Sequence, residues 1–145
     1  MIGVKVSLRV ASLVMATLVA LMASVEPVHA EYRSIQMRVY GLDCGLCARG
    51  VAASVERLPG VKSVDVDVKT GMVDIVLVPG NTFKLSELRK RIRENGFRPM
   101  EGTVTALGEF TKSSSFEVVG SGESYDIGAA GADSPGLIER TFKVK

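Results

Sequence analysis

The residue types best suited to chemistry fall in one stretch, Gly41-Leu42-Asp43-Cys44-Gly45-Leu46-Cys47, which holds the only two cysteines of the chain. Thiolate sulfur binds soft metal ions and attacks disulfides, so what a cysteine pair does depends on where it is held. An alternating pattern precedes this pair and a helical pattern follows it, which places the pair on a loop where a strand hands over to a helix. Across a loop end and a first helical turn, positions three apart converge on one side. The amide N–H groups at a helix start have no intrahelical partner and favour negative charge, which lowers a thiol pKa from its free value of about 8.5. Asp43, directly before the first cysteine, is either an accessory oxygen ligand or a solvated loop residue that bonds nearby N–H groups.

The elements that must position the pair are legible from spacing. Ser34-Ile35-Gln36-Met37-Arg38-Val39-Tyr40 alternates, which predicts a half-buried strand with Ile35, Met37 and Val39 on one face. Val51, Val55 and Leu58 predict a helix over 47–58, stopped by Pro59-Gly60. Val64 and Val66 among polar neighbours predict a strand over 61–67. Lys69-Thr70-Gly71 is then the turn into a returning strand over 72–78. Leu85, Leu88 and Ile92 predict a second helix over 85–95, capped by Gly96, and Phe97-Arg98-Pro99-Met100 is extended. This order predicts an α+β fold, the ferredoxin-like βαββαβ sandwich, with two helices over one face of an antiparallel sheet. From 102 to 145 the chain is Gly- and Ser-rich, with strand-like composition at 103–106, 115–119 and 138–144 and a loop over 129–135. That segment reads as a β-rich C-terminal extension of two to four short strands without a chemical motif.

The chain has 145 residues, 46% apolar and 23% charged, which argues against wholesale disorder. Its formal net charge of +2 is too small to indicate nucleic-acid binding. Lys5 and Arg9 precede an apolar run over 10–25, which Glu26 and Pro27 end, and Val28-His29-Ala30 places small residues at a cleavage position. The reading is a secretory signal over 1–30, cut after Ala30, with the alternative of a membrane anchor disfavoured because the run is shorter than the roughly 20 residues a spanning helix needs. The remaining chain divides into 31–101 and 102–145, and a periplasmic location is expected. The only histidine, His29, leaves with the signal, which removes the commonest acid–base group from the exported protein.

Residues 34–100 resemble the heavy-metal-associated domain, the family of small copper chaperones, the amino-terminal modules of metal-pumping P-type ATPases and the periplasmic mercuric-ion-binding protein. The family motif Gly-Met-x-Cys-x-x-Cys reads Gly41-Leu42-Asp43-Cys44-Gly45-Leu46-Cys47 here, and Pro59-Gly60-Val61 and Asn95-Gly96-Phe97 also match. Leu42 replaces the methionine that packs under the loop in that family and is a fair volume substitute. The resemblance implies one soft metal ion, Cu(I), Hg(II), Zn(II) or Cd(II), on Cys44 and Cys47. It also implies a membrane metal transporter or a thiol-containing acceptor protein as partner. The chain is expected to be a monomer, and no nucleic acid is expected, because the aromatic strand motif of RNA-recognition modules on this fold is absent and the signal argues against it. Asp directly before the first cysteine looks like the variant of zinc and cadmium pumps, and the aromatic at the position of Phe97 excludes water from the thiols in the family.

Three uses of the pair remain in competition on the residues alone. Two thiolates suit linear or trigonal Cu(I) or Hg(II), whereas Zn(II) wants four ligands. The alternative, a thiol–disulfide oxidoreductase, shares the Cys-x-x-Cys spacing, but the chain has no Trp and its central strands form a hairpin instead of a parallel βαβ unit. A structural disulfide over so short a loop removes little chain entropy. Lys84, Arg89, Lys90, Arg91, Arg93 and Arg98 give the second helix a basic surface, either solvated or a dock for an acidic partner. No Ser/His/Asp or paired-carboxylate constellation is visible, so no catalysis is expected.

Overall fold

The computed structural model describes residues 31–112, 114–128 and 138–145. The stretch read as a secretory signal, 1–30, and the loop over 129–135 lie outside the described residues. The order is β1 (Glu31–Tyr40), α1 (Gly45–Val55), β2 (Val61–Asp67), β3 (Met72–Leu77), α2 (Leu85–Glu94), β4 (Arg98–Lys112), β5 (Ser115–Val118), β6 (Glu123–Asp126) and β7 (Ile138–Val144). All strand pairs are antiparallel, in the sheet order β2-β3-β1-β4-β5-β6, with β7 also on β4. The first six elements are the expected ferredoxin-like unit, and the chain after them is β-rich as expected. No helix among the described residues is long and apolar enough to cross a membrane.

The predicted faces are the buried ones. Ile35, Met37 and Val39 of β1 meet Val73, Ile75 and Leu77 of β3 under Val51 and Val55 of α1 and Leu88 and Ile92 of α2, and all are in one buried cluster. Burying this apolar surface on a single side is what the period of two in the strands and of 3.6 in the helices encodes. β1 begins earlier than its alternation does. Tyr32 is fully buried although it lies three residues before Ile35, and the β1–β4 register shifts between Tyr32 and Ser34. A bulge at Arg33 therefore returns Tyr32 to the core face.

α2 ends as its glycine predicts. Gly96 has φ +86°, its N–H donates to the carbonyl of Arg93, and the N–H of Phe97 donates to the carbonyl of Ile92. These two bonds are the Schellman arrangement, which needs a left-handed residue at this position. The start of α2 is unusual. Lys84 at the N-cap supplies no side-chain cap. The amides of Leu85 and Ser86 donate instead to the carboxylate of Glu123 on β6, at 2.8 and 3.0 Å.

β4 carries the chain from the βαββαβ unit into the extension without a break, pairing with β1 along Arg98–Leu107 and with β5 from Gly108. β7 covers the opposite side of β4 over Gly102–Gly108, so a strand that would be a sheet edge is paired on both sides. Phe116, Phe142 and Tyr125 stack edge-on or tilted at 5.1–5.6 Å between centroids. Their apolar cluster is continuous with the helix-covered core. Tyr32 joins the two, with its hydroxyl donating to Glu123 at 2.5 Å and lying 2.9 Å from the hydroxyl of Tyr125.

Candidate metal centre

The cysteine loop is built by what comes immediately before and after it. β1 stops at Tyr40, and Gly41 turns the chain with φ +89°, a conformation closed to most side chains. Leu42 then drops into the core, 3% exposed, and pins the loop from beneath, as the volume argument expects. Asp43 and Cys44 stand in solvent on the other side of that anchor, while Cys47 is half-buried and packs on the core. Cys44 is the N-cap of α1: its backbone is extended, its carbonyl accepts from Ala48 N–H at 3.0 Å, and its Sγ accepts from Cys47 N–H at 3.0 Å. The helix therefore begins at Gly45, two residues before the sequence pattern places it, because a sulfur fills the role that an oxygen usually takes.

Cys44 and Cys47 are joined as a disulfide, with 5.1 Å between their Cα atoms. The pair is thus already convergent at the start of α1, where no acidic residue occupies the first turn. Helix-terminal amides with no competing carboxylate favour the anionic sulfur that reduction of the pair produces. Leu46, between the two cysteines, is 76% exposed. The loop is thus open to solvent at Cys44 and Leu46, while Cys47 faces the core.

Asp43 is exposed, and among the described residues no group of three or more His, Cys, Asp or Glu side chains is arranged to hold a metal ion. The structure brings Cys44 and Cys47 together and does not join Asp43 to them as a third ligand. Phe97 lies at the foot of the loop, where a β-carbon on Gly41 would be 3.7 Å from its ring. It also packs on the core. Phe97, Tyr40, Arg93 and Arg98 border a shallow cleft beside the loop. Of the basic residues on the second helix, Lys90 and Arg91 lie 3.9 and 3.8 Å from Glu94, and Arg89 turns towards β6 and β7.

Sequence reasoning missed Glu123. Burial works to raise its pKa, but the hydrogen bonds from Ser86, the Tyr32 hydroxyl and the Leu85 amide outweigh it and hold the carboxyl below its ordinary value. Burial, with the bond to Glu123 added, pushes the Tyr32 hydroxyl well above the usual tyrosine range, and burial pushes Tyr125 up to about 12. No local pattern announces this cluster, because Ser86, Leu85 and Tyr32 lie 37, 38 and 91 residues from Glu123.

The family model of the heavy-metal-associated domain matches residues 36–98. That span contains the loop, both cysteines and both helices. Among solved structures, a copper binding domain from HMA7, a P-type ATPase, is 28% identical with a TM-score of 0.43, over 47% of this chain and 90% of that one. The CopZ metallochaperone is 24% identical with a TM-score of 0.44, over 46% of this chain and 98% of that one. Oxidized MerP from Ralstonia metallidurans CH34 is 20% identical with a TM-score of 0.44, over 48% of this chain and 96% of that one. No curated protein matches the chain.

Proposed function

We propose, from a chain whose residues 36–98 are a heavy-metal-associated domain, that this is an exported carrier which holds one soft metal ion on Cys44 and Cys47 and exchanges it with another thiol protein or a membrane transporter. The observation that carries the reading is the convergence of two cysteines on an exposed loop at a helix N-terminus, with Cys44 Sγ accepting the Cys47 N–H at 3.0 Å. The metal is cargo. A reductant of the dithiol class first gives the disulfide two electrons and two protons, and the incoming ion then displaces the protons from the two thiols. Two thiolates hold a Cu(I) or Hg(II) ion in a linear geometry that can expand to trigonal, so a third thiolate from a partner can enter before either cysteine leaves. Zn(II) and Cd(II) would need further ligands, to which Asp43 is the nearest candidate in sequence. The signal over 1–30 accounts for a periplasmic location, and the protein acts there as a binder and not as a catalyst.

The disulfide itself favours a second reading, a thiol–disulfide oxidoreductase on the same pair. One preparation separates the two. Protein reduced without oxygen is loaded with Cu(I), Hg(II), Zn(II) or Cd(II), and the oxidised protein is offered a disulfide-forming substrate. The carrier reading expects metal retained on the reduced pair and no turnover; turnover without metal retention would overturn it.

A further inference from the structure

A second concave surface lies away from the cysteine loop, between the first turn of α2 and the strands β6 and β7. It is an open cleft of about 600 Å³, within the size range of small-molecule sites. Its walls bring together Arg89 from α2, Lys143 from β7 and Lys145 just beyond it, with Tyr125 and Asp126 from β6 opposite. The charges are not balanced within the cleft. Among the described residues, none of Arg89, Lys143 and Lys145 forms an ion pair.

Glu123 lines the same cleft as a carboxylate, but its oxygens accept from amides and hydroxyls and from none of these three cations. Oε1 accepts from the Ser86 amide, and Oε2 accepts from the Leu85 amide and from the hydroxyls of Tyr32 and Tyr125. With Asp126, whose Oδ1 accepts the Gly128 amide at 3.3 Å, two acids stand against three side-chain cations lining the cleft. Arg89 is the member least content to stay unpaired. Its Nη2 is buried and has no hydrogen-bond partner among the described residues. Burial and its neighbour Arg93 both disfavour its charge, with burial the larger influence. A desolvated guanidinium is stabilised by an oxyanion that takes its N–H groups in a fork. Tyr125 and Val144 add apolar surface to the same walls.

We propose that this cleft binds a small organic dianion, one anionic oxygen held by Arg89 and another by Lys143 and Lys145, with its apolar body against Tyr125. The shared chemistry is a pair of anionic oxygens, carried either on two carboxylates or on the single phosphate of a phosphate ester. This site is separate from the cysteine pair and does not depend on the metal reading.

The test is a titration of the isotopically labelled protein, followed by its amide NMR spectrum, with succinate, with phenyl phosphate, and with sodium chloride at matched ionic strength. The expected result is saturable movement of the Ser86, Arg89, Tyr125 and Lys143 amides with at least one of the two dianions, at a dissociation constant of about 1 mM or tighter. Which dianion saturates first identifies a carboxylate or a phosphate source. Arg89→Gln combined with Lys143→Gln weakens this binding by about tenfold or more. Lys143 is exposed, so Lys143→Glu serves as a single variant that leaves the fold intact and is also expected to weaken binding. The proposal is overturned if chloride reproduces the shifts, if neither dianion saturates, or if these variants bind as the parent does.

Discussion

Replacing Glu123 by alanine removes a cap that the chain supplies to α2 from another strand. The parent carboxylate satisfies the Leu85 and Ser86 amides and accepts the Tyr32 hydroxyl. Loss of an N-cap acceptor costs about 1 kcal/mol. Loss of a hydrogen bond from a fully buried hydroxyl to a charged group costs about 1.5 kcal/mol, taken at the low end because Glu123 is half-exposed and Tyr32 keeps the Tyr125 hydroxyl as a partner. The sum is about 2.5 kcal/mol. In urea this moves the unfolding midpoint down by about 1–2 M with an unchanged slope. Tyr32→Phe alone should cost about 1 kcal/mol. The double variant should fall short of the sum of the singles, because both remove the same bond. The assay is urea unfolding followed by circular dichroism for the four proteins. A midpoint shift below about 0.3 M for Glu123→Ala, or full additivity in the double variant, would refute the claim that β6 caps α2.

Three further outcomes follow from the same structure. Because the folded Glu123 carboxyl is held below its ordinary value, its stabilising contribution is complete above the unfolded pKa of about 4.3 and is lost as pH falls through the folded value. Urea midpoints measured between about pH 3 and pH 7 should therefore drop at the acid end in the parent and drop less in Glu123→Gln. Gly96→Ala meets no atom within 4 Å but keeps a φ of +86°, so thermal unfolding should show a loss of about 1 kcal/mol from backbone strain alone; no loss would mean the helix end can be rebuilt. Asp43→Ala should leave the Cu(I) stoichiometry unchanged and the affinity within about threefold, since Asp43 is not grouped with the pair; a larger loss in chelator competition would restore it as a ligand.

The elements with one buried face were legible, because Ile35, Met37 and Val39, or Leu85, Leu88 and Ile92, repeat the period of the element that buries them. The convergence of Cys44 and Cys47 was legible for the same local reason. What lay hidden was non-local. Gly102 and Gly108 read as breaks in a strand, yet β4 runs through both. A β-carbon at Gly102 would lie 2.6 Å from the Gln36 carbonyl oxygen, and one at Gly108 would run into the Phe116 ring. These glycines mark close packing and not turns. Glu-Ser-Tyr-Asp has little strand character, but β6 forms because Phe116–Tyr125 and Val118–Glu123 pair across the sheet. The cap that Glu123 provides has no signature near Lys84, where a capping residue would be sought. The exposed position of Asp43 is likewise a matter of which way the loop faces, fixed by Leu42 turning inward.

The most direct test of the carrier reading is metal stoichiometry on protein reduced and handled without oxygen, loaded with Cu(I) in the presence of a competing chelator and then weighed for bound metal by mass spectrometry. One equivalent held by the parent and none held by the Cys44→Ser, Cys47→Ser variant is the predicted result. No metal on the parent, or equal metal on both proteins, would contradict it.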